Sequence, residues 1–320
     1  MKRKNLHKHL LYYQWYLNLI KRLKLIKLNK RQTNLYNTLN FFLDNISRHG
    51  LINKANGVAF SFTLAIFPSI IFIFTLIPYI HSVIPHIDTD SIMTFLATVM
   101  PKAMYEAADG TIHDIVSNKR QGLLSFGAFL ALILATNGMH SLMATFNSIY
   151  KTNEKRGFFR TRIIATALTL VLSSVLFFSI ILMVIGKLVL SYLSTEGLIT
   201  QDYIIYLLTA LKYMVIVIAF FIAISTIYYF APAIHDRWTF FSTGAVFSAV
   251  ACVATSYAFS FYINNFSNYN KFYGSLGMLI ALMVWLYLLS LILLVGFEYN
   301  ASVDRAVISD KIETTTSIFD

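Results

Sequence analysis

The sequence predicts an all-α, polytopic integral membrane protein with six transmembrane helices. Of its 320 residues, 57% are hydrophobic and only 13% are charged, and the mean hydropathy is +0.63. A soluble domain carries about 25% charged residues, and a single core of this length could not bury so much apolar surface. The apolar residues also stand in long blocks, which favours helices over the short alternating segments of a membrane β-barrel.

Residues 1–56 are predicted to form a basic, amphipathic arm on the cytoplasmic side. This segment holds 12 of the 26 Lys and Arg residues. Two stretches show apolar residues at helical spacing, Leu19, Leu23 and Ile26 in the first and Leu35, Leu39, Phe42 and Ile46 in the second. Such a pattern is typical of helices that lie on anionic lipid. The alternative is a flexible basic arm whose only role is to fix the topology.

Six blocks have the roughly 20 apolar residues that a spanning helix needs. They are Gly57–Ile80, Gly122–Phe146, Ile163–Leu190, Tyr203–Phe230, Phe240–Ile263 and Gly274–Phe297. The membrane domain is therefore predicted over residues 57–297, with a cytoplasmic tail at 298–320. The long connection at residues 81–121 is expected to hold interfacial helices on the outer side.

The distribution of positive charge predicts the orientation of the helices. The N-terminal arm, loop 147–162, loop 231–239 and the C-terminal tail together hold 20 Lys and Arg, against five in the opposite connections. Both termini are therefore expected to be cytoplasmic, in the plasma membrane of a bacterium. The net charge of +11 predicts membrane lipids with anionic headgroups as partners rather than nucleic acid. A homo-oligomer is left open.

Two backbone features indicate a substrate path. Pro68 removes a hydrogen bond from the first block, so this helix is expected to be kinked or broken, as in transporters that expose backbone groups to a cavity. The sixth block opens with Tyr273, Gly274, Ser275 and Gly277, where free N–H groups would attract an anion. The alternatives are a kink that serves packing alone and a tight turn between helices.

Polar residues inside the blocks extend this predicted path. Asn137 and His140 lie one turn apart in the second block and Asn147 follows, so these side chains could line a polar path or cross-link helices. Lys212 lies about ten residues into the fourth block. A charge in hydrocarbon is a functional candidate, unless the side chain snorkels to the outer interface.

At the inner boundary, charged residues suggest a cytoplasmic gate. Arg160 and Arg162 precede the third block, and Glu298 and Asn300 end the sixth. A pair between Glu298 and an arginine would lock two helices together, whereas the alternative is that the arginines only anchor the topology.

A stripe of small residues in the fifth block predicts close helix packing. Its members stand four residues apart and are Gly244, Ser248, Cys252, Ser256 and Ser260. Small side chains let two helices approach closely in lipid. Cys252 is accordingly interpreted as a packing residue rather than a nucleophile.

Motifs of soluble enzymes are absent from the sequence, including phosphate loops, H-E-x-x-H and G-x-S-x-G. Metal-ligand residue types occur together at His81, His86, Asp88 and Asp90, but no second cluster accompanies them. We therefore predict no catalytic residue, no metal, no cofactor and no enzymatic activity.

With these residues in view, the chain resembles the YihY/BrkB family of bacterial inner-membrane proteins over roughly residues 35–305. The resemblance is carried by the segments A-F-S-F-T-L-A-I-F-P-S (59–69), F-N-S-I-Y (146–150), R-G-F-F-R-T-R (156–162), F-Y-G-S-L-G-M-L-I-A-L-M-V-W-L-Y-L (272–288) and G-F-E-Y-N-A (296–301). It implies six spans and a plasma-membrane location. Members have been labelled ribonuclease, serum-resistance factor and lipid or precursor transporter. The ribonuclease label lacks the metal or acid–base cluster that phosphodiester hydrolysis needs.

Two functions of different kinds follow from these features. The leading hypothesis is a transporter or flippase of an anionic, lipid-like or amphiphilic envelope precursor. The alternative is a non-transporting scaffold or assembly factor for cell-envelope synthesis. A polar cavity between the first, second and sixth helices would favour transport, and a dry, solid interior would favour the scaffold.

Overall fold

The computed structural model describes residues 14–25, 27–28, 33–48, 50–83, 121–195, 201–234, 239–265 and 276–319. Within them the helices are α1 (Gln14–Leu25), α2 (Leu35–Arg48), α3 (Leu51–Val83), α4 (Gln121–Tyr150), α5 (Phe158–Thr195), α6 (Gln201–Phe230), α7 (Thr243–Asn265) and α8 (Leu276–Phe319). Two-residue strands, β1 (Lys27–Leu28) and β2 (Thr33–Asn34), pair antiparallel between α1 and α2. The predicted all-α class is confirmed.

Five helical segments are long and apolar enough to cross a membrane. They are Gln121–Tyr150, Phe158–Val175, Tyr206–Phe230, Thr243–Tyr262 and Leu279–Ser309, one in each of α4 to α8. They correspond to the second to sixth predicted blocks. The first block lies in α3, whose side chains are described only as far as Pro68. A span in the first block, which would bring the number of spans to six, therefore stays a prediction.

α3 is one uninterrupted helix from Leu51 to Val83, with Pro68 in its interior. The predicted break at Pro68 is therefore not observed, and the predicted kink stays a prediction. Membrane helices tolerate proline where neighbouring groups satisfy the carbonyl that loses its donor. α3 follows directly on Gly50, whose φ of +58° suits a residue without a Cβ. The predicted arm boundary at residue 56 thus falls inside α3.

The core draws on α3 to α8, and its aromatic centre lies between α4, α6 and α8. Phe146 of α4 stacks on Phe297 of α8, with ring centroids 4.0 Å apart. Tyr228 of α6 meets both rings edge-on, at 5.7 and 5.8 Å. All three side chains are buried, and Leu142 and Leu294 belong to the same apolar cluster. The centre of the helix bundle is therefore packed and apolar.

The N-terminal segment is in contact with this bundle. The Phe42 ring of α2 meets the Tyr299 ring of α8 edge-on at 5.8 Å, and Thr38 is fully buried. The alternative of a flexible arm therefore does not apply to α2. At the other end of the chain, α8 continues without a break to Phe319, and Ala301 and Ala306 are fully buried. The predicted tail thus begins as an extension of the last spanning helix.

Large apolar side chains face outward from the spanning helices. On α4 to α7 these include Phe126, Phe129, Phe178, Phe247 and Val250, each more than half exposed. Such a surface is stable where hydrocarbon surrounds the helices, because lipid tails are as apolar as the side chains.

Candidate functional site

Asn147, near the end of α4, connects two loops at the predicted cytoplasmic end of the bundle. Its Nδ2 donates to Glu154 Oε2 (2.8 Å), and its Oδ1 accepts from the backbone N–H of Ala233 (2.8 Å). α4 ends directly afterwards, with Lys151 in the left-handed conformation at φ 60° and Thr152 N–H donating to the Asn147 carbonyl (2.9 Å). This is the hydrogen bond of a Schellman helix end. Asn147 therefore fixes the α4–α5 connection against the segment after α6.

The α4–α5 connection carries an ion pair. Arg156 Nε and Nη2 donate to the two carboxylate oxygens of Glu154, each at 2.7 Å, and Nη2 also donates to the Ala231 carbonyl (3.0 Å). The hydrogen bond from Arg156 lowers the pKa of the Glu154 carboxyl below its usual value, although partial burial opposes this shift. Both oxygens of Glu154 are thus occupied by protein donors.

Two cavities adjoin this connection, and Thr152 and Asn153 line both of them. The smaller has a volume of about 350 Å³ and contains His140, Asn147 and Glu154. The larger has a volume of about 990 Å³. Its lining combines cationic with apolar side chains, which are Lys155, Arg156, Arg160, Ile163, Ile164, Phe230 and Ile234.

The arginines of the predicted gate occupy different places. Arg162 Nη1 donates to Asn137 Oδ1, so this pair holds α5 against α4. The Arg162 guanidinium also lies 5.7 Å from the centre of the Phe158 ring, within cation–π range. Arg160 is exposed and lines the larger cavity.

Glu298 pairs with Arg305 rather than with Arg160 or Arg162. The Glu298 side chain is 0% exposed, and its Oε1 accepts from Arg305 Nη1 (2.7 Å) and Ser302 Oγ (3.2 Å). Arg305 Nη2 donates in addition to the Ile149 carbonyl (2.7 Å), so the pair joins α8 to α4. The predicted pair partners are unsuitable because Arg162 is held by α4 and Arg160 faces the cavity.

Two further polar contacts hold α3, α4 and α8 together at this end. Lys54 Nζ donates to Ser148 Oγ (3.0 Å), and Tyr150 Oη donates to Asp304 Oδ2 (2.9 Å). Partial burial lowers the pKa of Lys54, and the negative charge of Glu298 opposes that shift.

Asn300 holds the start of α7. Its Oδ1 accepts from Gly244 N–H (2.9 Å), and its Nδ2 donates to Ser242 Oγ (2.8 Å). Ser242 precedes the helix, and its own Oγ accepts from Ala245 N–H (3.3 Å), as an N-cap residue does. Asn300 is thus a structural residue at the crossing of α7 and α8, away from the two cavities.

The small-residue stripe of α7 lies along α8 for most of its length. Gly244, Ser248 and Cys252 are buried, Ser256 is half-buried and Ser260 is exposed. The Tyr228 hydroxyl lies 2.8 Å from Ser248 Oγ and donates to the Leu293 carbonyl (2.6 Å). Further out, Trp285 Nε1 donates to Ser256 Oγ (3.2 Å).

The remaining candidates of the predicted path are dispersed. Pro68 is buried in α3, and Gly277 is buried in the first turn of α8. Tyr273, Gly274 and Ser275 lie outside the described residues, and so does the side chain of Lys212. The side chains of His81, His86, Asp88 and Asp90 also lie outside them. Among the residues that are described, no group of three or more His, Cys, Asp and Glu could hold a metal ion.

Sequence reasoning missed Glu154, Arg156, Arg305 and Gly296 as individual residues. Arg156 was counted only as a topology charge, and Gly296 stands unremarked in the segment G-F-E-Y-N-A. A signal for Arg305 existed, since it follows Glu298 by two helical turns. No local pattern marks the Glu154–Arg156 pair, because its geometry depends on Asn147 and Ala231, which belong to other parts of the chain.

Comparison with known proteins places the chain in a family. The family model for virulence factor BrkB matches residues 42–316. The ribonuclease-like protein YfkH of Bacillus subtilis is 30% identical over 249 residues, covering 78% of this chain and 88% of the relative. A UPF0761 membrane protein of Alteromonas mediterranea is 28% identical over 207 residues, covering 62% of this chain and 65% of the relative. No solved structure matches. The chain is an integral membrane protein that belongs to the virulence factor BrkB family.

Proposed function

We propose that the chain transports or flips an anionic, lipid-like amphiphile in the bacterial plasma membrane. The observation that carries this proposal is the cavity of about 990 Å³ that combines Lys155, Arg156 and Arg160 with apolar side chains of α5 and the α6 end. Cations suit a negative headgroup, and Ile163 and Phe230 suit the first part of an acyl chain. The site thus offers cations to a headgroup and apolar side chains to an acyl chain.

The position of this cavity supports loading from the inner leaflet. It lies where α5 begins and α6 ends, at the end of the bundle that the distribution of Lys and Arg predicts to be cytoplasmic. Anionic lipids are concentrated at such a surface. The packed centre formed by Phe146, Phe297 and Tyr228 closes the bundle, so transport requires a second conformation in which these rings separate.

Reconstitution tests the proposal directly. The purified chain is placed in phosphatidylcholine vesicles that carry a trace of fluorescent phosphatidic acid, fluorescent phosphatidylglycerol or fluorescent phosphatidylcholine, and dithionite then quenches the outer leaflet. We expect faster loss of the protected fluorescence for phosphatidic acid than for phosphatidylcholine, and slower loss of the phosphatidic acid signal in Arg160→Gln. Lys151→Gln removes the same charge outside both cavities and should behave as the wild type. Equal rates with and without protein for every anionic amphiphile would contradict transport.

A scaffold for envelope synthesis is the second candidate function. The packed, apolar centre where Phe146, Tyr228 and Phe297 of α4, α6 and α8 meet favours it. The same vesicle experiment separates the two functions. A scaffold binds lipid or protein but leaves the transbilayer rates at their protein-free values.

A further inference from the structure

We propose that the larger cavity selects a dianionic phosphate group, a phosphate monoester or diphosphate carried by a lipid, and that Glu154 sets this selectivity. The inference rests on the proposed function only in taking the ligand from the membrane. Glu154 is assigned a specificity-determining role because its carboxylate already pairs with Arg156, one of the cations of the site.

The charged side chains around the cavity match a ligand with two negative charges. Lys155, Arg156 and Arg160 supply three positive charges, and Glu154 supplies one negative charge against Arg156. Among the described residues, the net local charge is therefore +2. Lys155 and Arg160 are exposed, and neither has a hydrogen-bonded or ion-paired partner within the described ranges. A group with two negative charges neutralises this arrangement, whereas a phosphodiester with one charge leaves a cation unmatched.

Glu154 competes with the ligand for the guanidinium of Arg156. Its carboxylate already makes two 2.7 Å contacts with the Arg156 fork and is held in place by Asn147 (2.8 Å). A singly charged phosphodiester gains nothing by displacing it, because one monovalent anion would replace another on the same guanidinium. A terminal phosphate has about two charges and three acceptor oxygens, so it can contact Arg156 while also reaching Lys155 and Arg160. Glu154 thus acts as a built-in competitor that excludes weaker anions.

The apolar side chains in the cavity lining indicate that the phosphate is attached to a lipid. Ile163, Ile164 and Phe230 line the same space as the cations. A volume of about 990 Å³ lies at the upper end of the range for sites that bury whole drug-sized ligands, which is far more than a phosphate ion needs. Inorganic phosphate shares the charge but makes no use of these side chains.

Lipid binding to the full-length chain in a neutral detergent tests the inference. Native mass spectrometry at pH 8 counts bound phosphatidic acid and bound phosphatidylglycerol with identical acyl chains, and inorganic phosphate and pyrophosphate form the soluble arm. We expect phosphatidic acid to bind at least about tenfold more tightly than phosphatidylglycerol, and more tightly than either soluble anion. Equal affinity for the two lipids would overturn the selectivity. Equal affinity for phosphatidic acid and phosphate would overturn the lipid origin.

Variants locate the selectivity in the cavity. Glu154→Gln frees Arg156, so phosphatidylglycerol should bind more tightly and the ratio between the two lipids should fall several-fold. Arg160→Gln should weaken phosphatidic acid, and Lys151→Gln should change neither lipid. An unchanged ratio in a folded Glu154→Gln variant would refute the role of Glu154. Thermal unfolding confirms the fold of each variant, and the wild-type comparison of the two lipids remains decisive if a variant is unstable.

The outcomes for this inference and for the proposed function are distinguishable. Selective binding of phosphatidic acid without transbilayer movement would refute transport and support the selectivity. Movement of both lipids at the same rate, with equal binding, would support transport and refute the selectivity.

Discussion

Arg305 neutralises a carboxylate that is entirely removed from solvent. Glu298 is 0% exposed, and Arg305 Nη1 lies 2.7 Å from its Oε1. Removing one partner of a buried pair costs about 3–5 kcal/mol, because the other charge stays buried with less compensation. We therefore predict that Arg305→Gln lowers the free energy of unfolding by about 3 kcal/mol.

Unfolding in detergent, followed by circular dichroism, measures this change. The double variant Glu298→Gln/Arg305→Gln should recover part of the loss, because no full charge is then left in the buried position. Lys151→Gln is the control for loss of a positive charge at the same end of the bundle. Equal stability of Arg305→Gln and the wild type would show that the pair does not support the fold.

The Glu154–Arg156 pair predicts a pH-dependent contribution to stability. The pKa of Glu154 is lowered in the folded chain, mainly by the hydrogen bond from Arg156. The stabilisation is therefore complete above the usual glutamate pKa of about 4.3, and it is lost as the pH falls through the lowered folded-state pKa. We expect the difference in thermal midpoint between the wild type and Glu154→Gln to be constant from about pH 7 to pH 5.

The same difference should close below about pH 4, where the wild-type carboxylate becomes protonated. Thermal unfolding of both proteins across this range measures it, and the comparison removes the effects of other titrating groups. A constant difference down to the most acidic pH would mean that the ion pair contributes nothing to stability.

The sequence showed which polar residues were of interest more reliably than it showed what each of them does. The sequence indicated Asn147, Glu298 and Asn300 as polar residues of interest. Asn147 and Asn300 turned out to accept from backbone N–H groups 86 and 56 residues away along the chain, so local spacing carries no information about these partners. Glu298 binds Arg305 within its own helix, and it is Arg305 that reaches the Ile149 carbonyl. The basic residues of loop 147–162 were interpreted only as a topology signal. Their cavity was not predictable, because it depends on how α5 and α6 meet.

At the scale of helices, the crossing of α7 and α8 depends on glycine. A Cβ at Gly296 would lie 2.7 Å from the Tyr228 hydroxyl and 2.8 Å from the Gly244 carbonyl, which leaves no room for a methyl group. Overpacking of this kind costs about 1–3 kcal/mol. We predict that Gly296→Ala lowers the free energy of unfolding by about 2 kcal/mol.

Gly57→Ala is the matched control for this substitution. A Cβ at Gly57 meets nothing within 4 Å, and alanine favours a helix over glycine by up to about 1 kcal/mol. Thermal unfolding in detergent should therefore rank the variants with Gly57→Ala at or above the wild type and Gly296→Ala below it. The reverse order would show that α7 and α8 can separate at little cost.

The sequence predicted the presence of the helices better than it predicted where they end. The apolar blocks predicted α4 to α8 because a span of about 20 apolar residues is a strong and local signal. The uninterrupted course of α3 through Pro68 was not predictable, since the packing around a proline decides whether a membrane helix continues through it. The extension of α8 to Phe319 also escaped prediction, because the polar residues after Glu298 resemble a tail.

At the scale of the whole molecule, the contacts of α2 constrain the number of spans. Phe42 precedes every spanning segment and Tyr299 lies near the end of the last one, yet their rings are 5.8 Å apart. Five crossings between them would place the two residues on opposite sides of the membrane. We therefore predict an even number of crossings, with one further crossing between α2 and α4.

We predict that α3 supplies this crossing. It packs antiparallel along α4, because Lys54 contacts Ser148 (3.0 Å) whereas Phe62, further along α3, packs on Gly138, nearer the start of α4. With 33 residues α3 is about 50 Å long, which exceeds the hydrocarbon thickness of about 30 Å. Because α3 runs antiparallel along α4 and is long enough to span, we predict six crossings with both termini on the cytoplasmic side.

Accessibility of single cysteines to a membrane-impermeant maleimide in intact cells tests this topology. Cys252 is buried and is first replaced by alanine. Cysteines at Lys27 and Ile308 should be labelled only after the cells are opened, whereas cysteines at Ser82 and Gln121 should be labelled in intact cells. Position 121, at the predicted outer end of α4, is the internal reference for position 82. If position 82 shared the protection of position 27, α3 would not cross the membrane, and the predicted six-helix topology would be wrong.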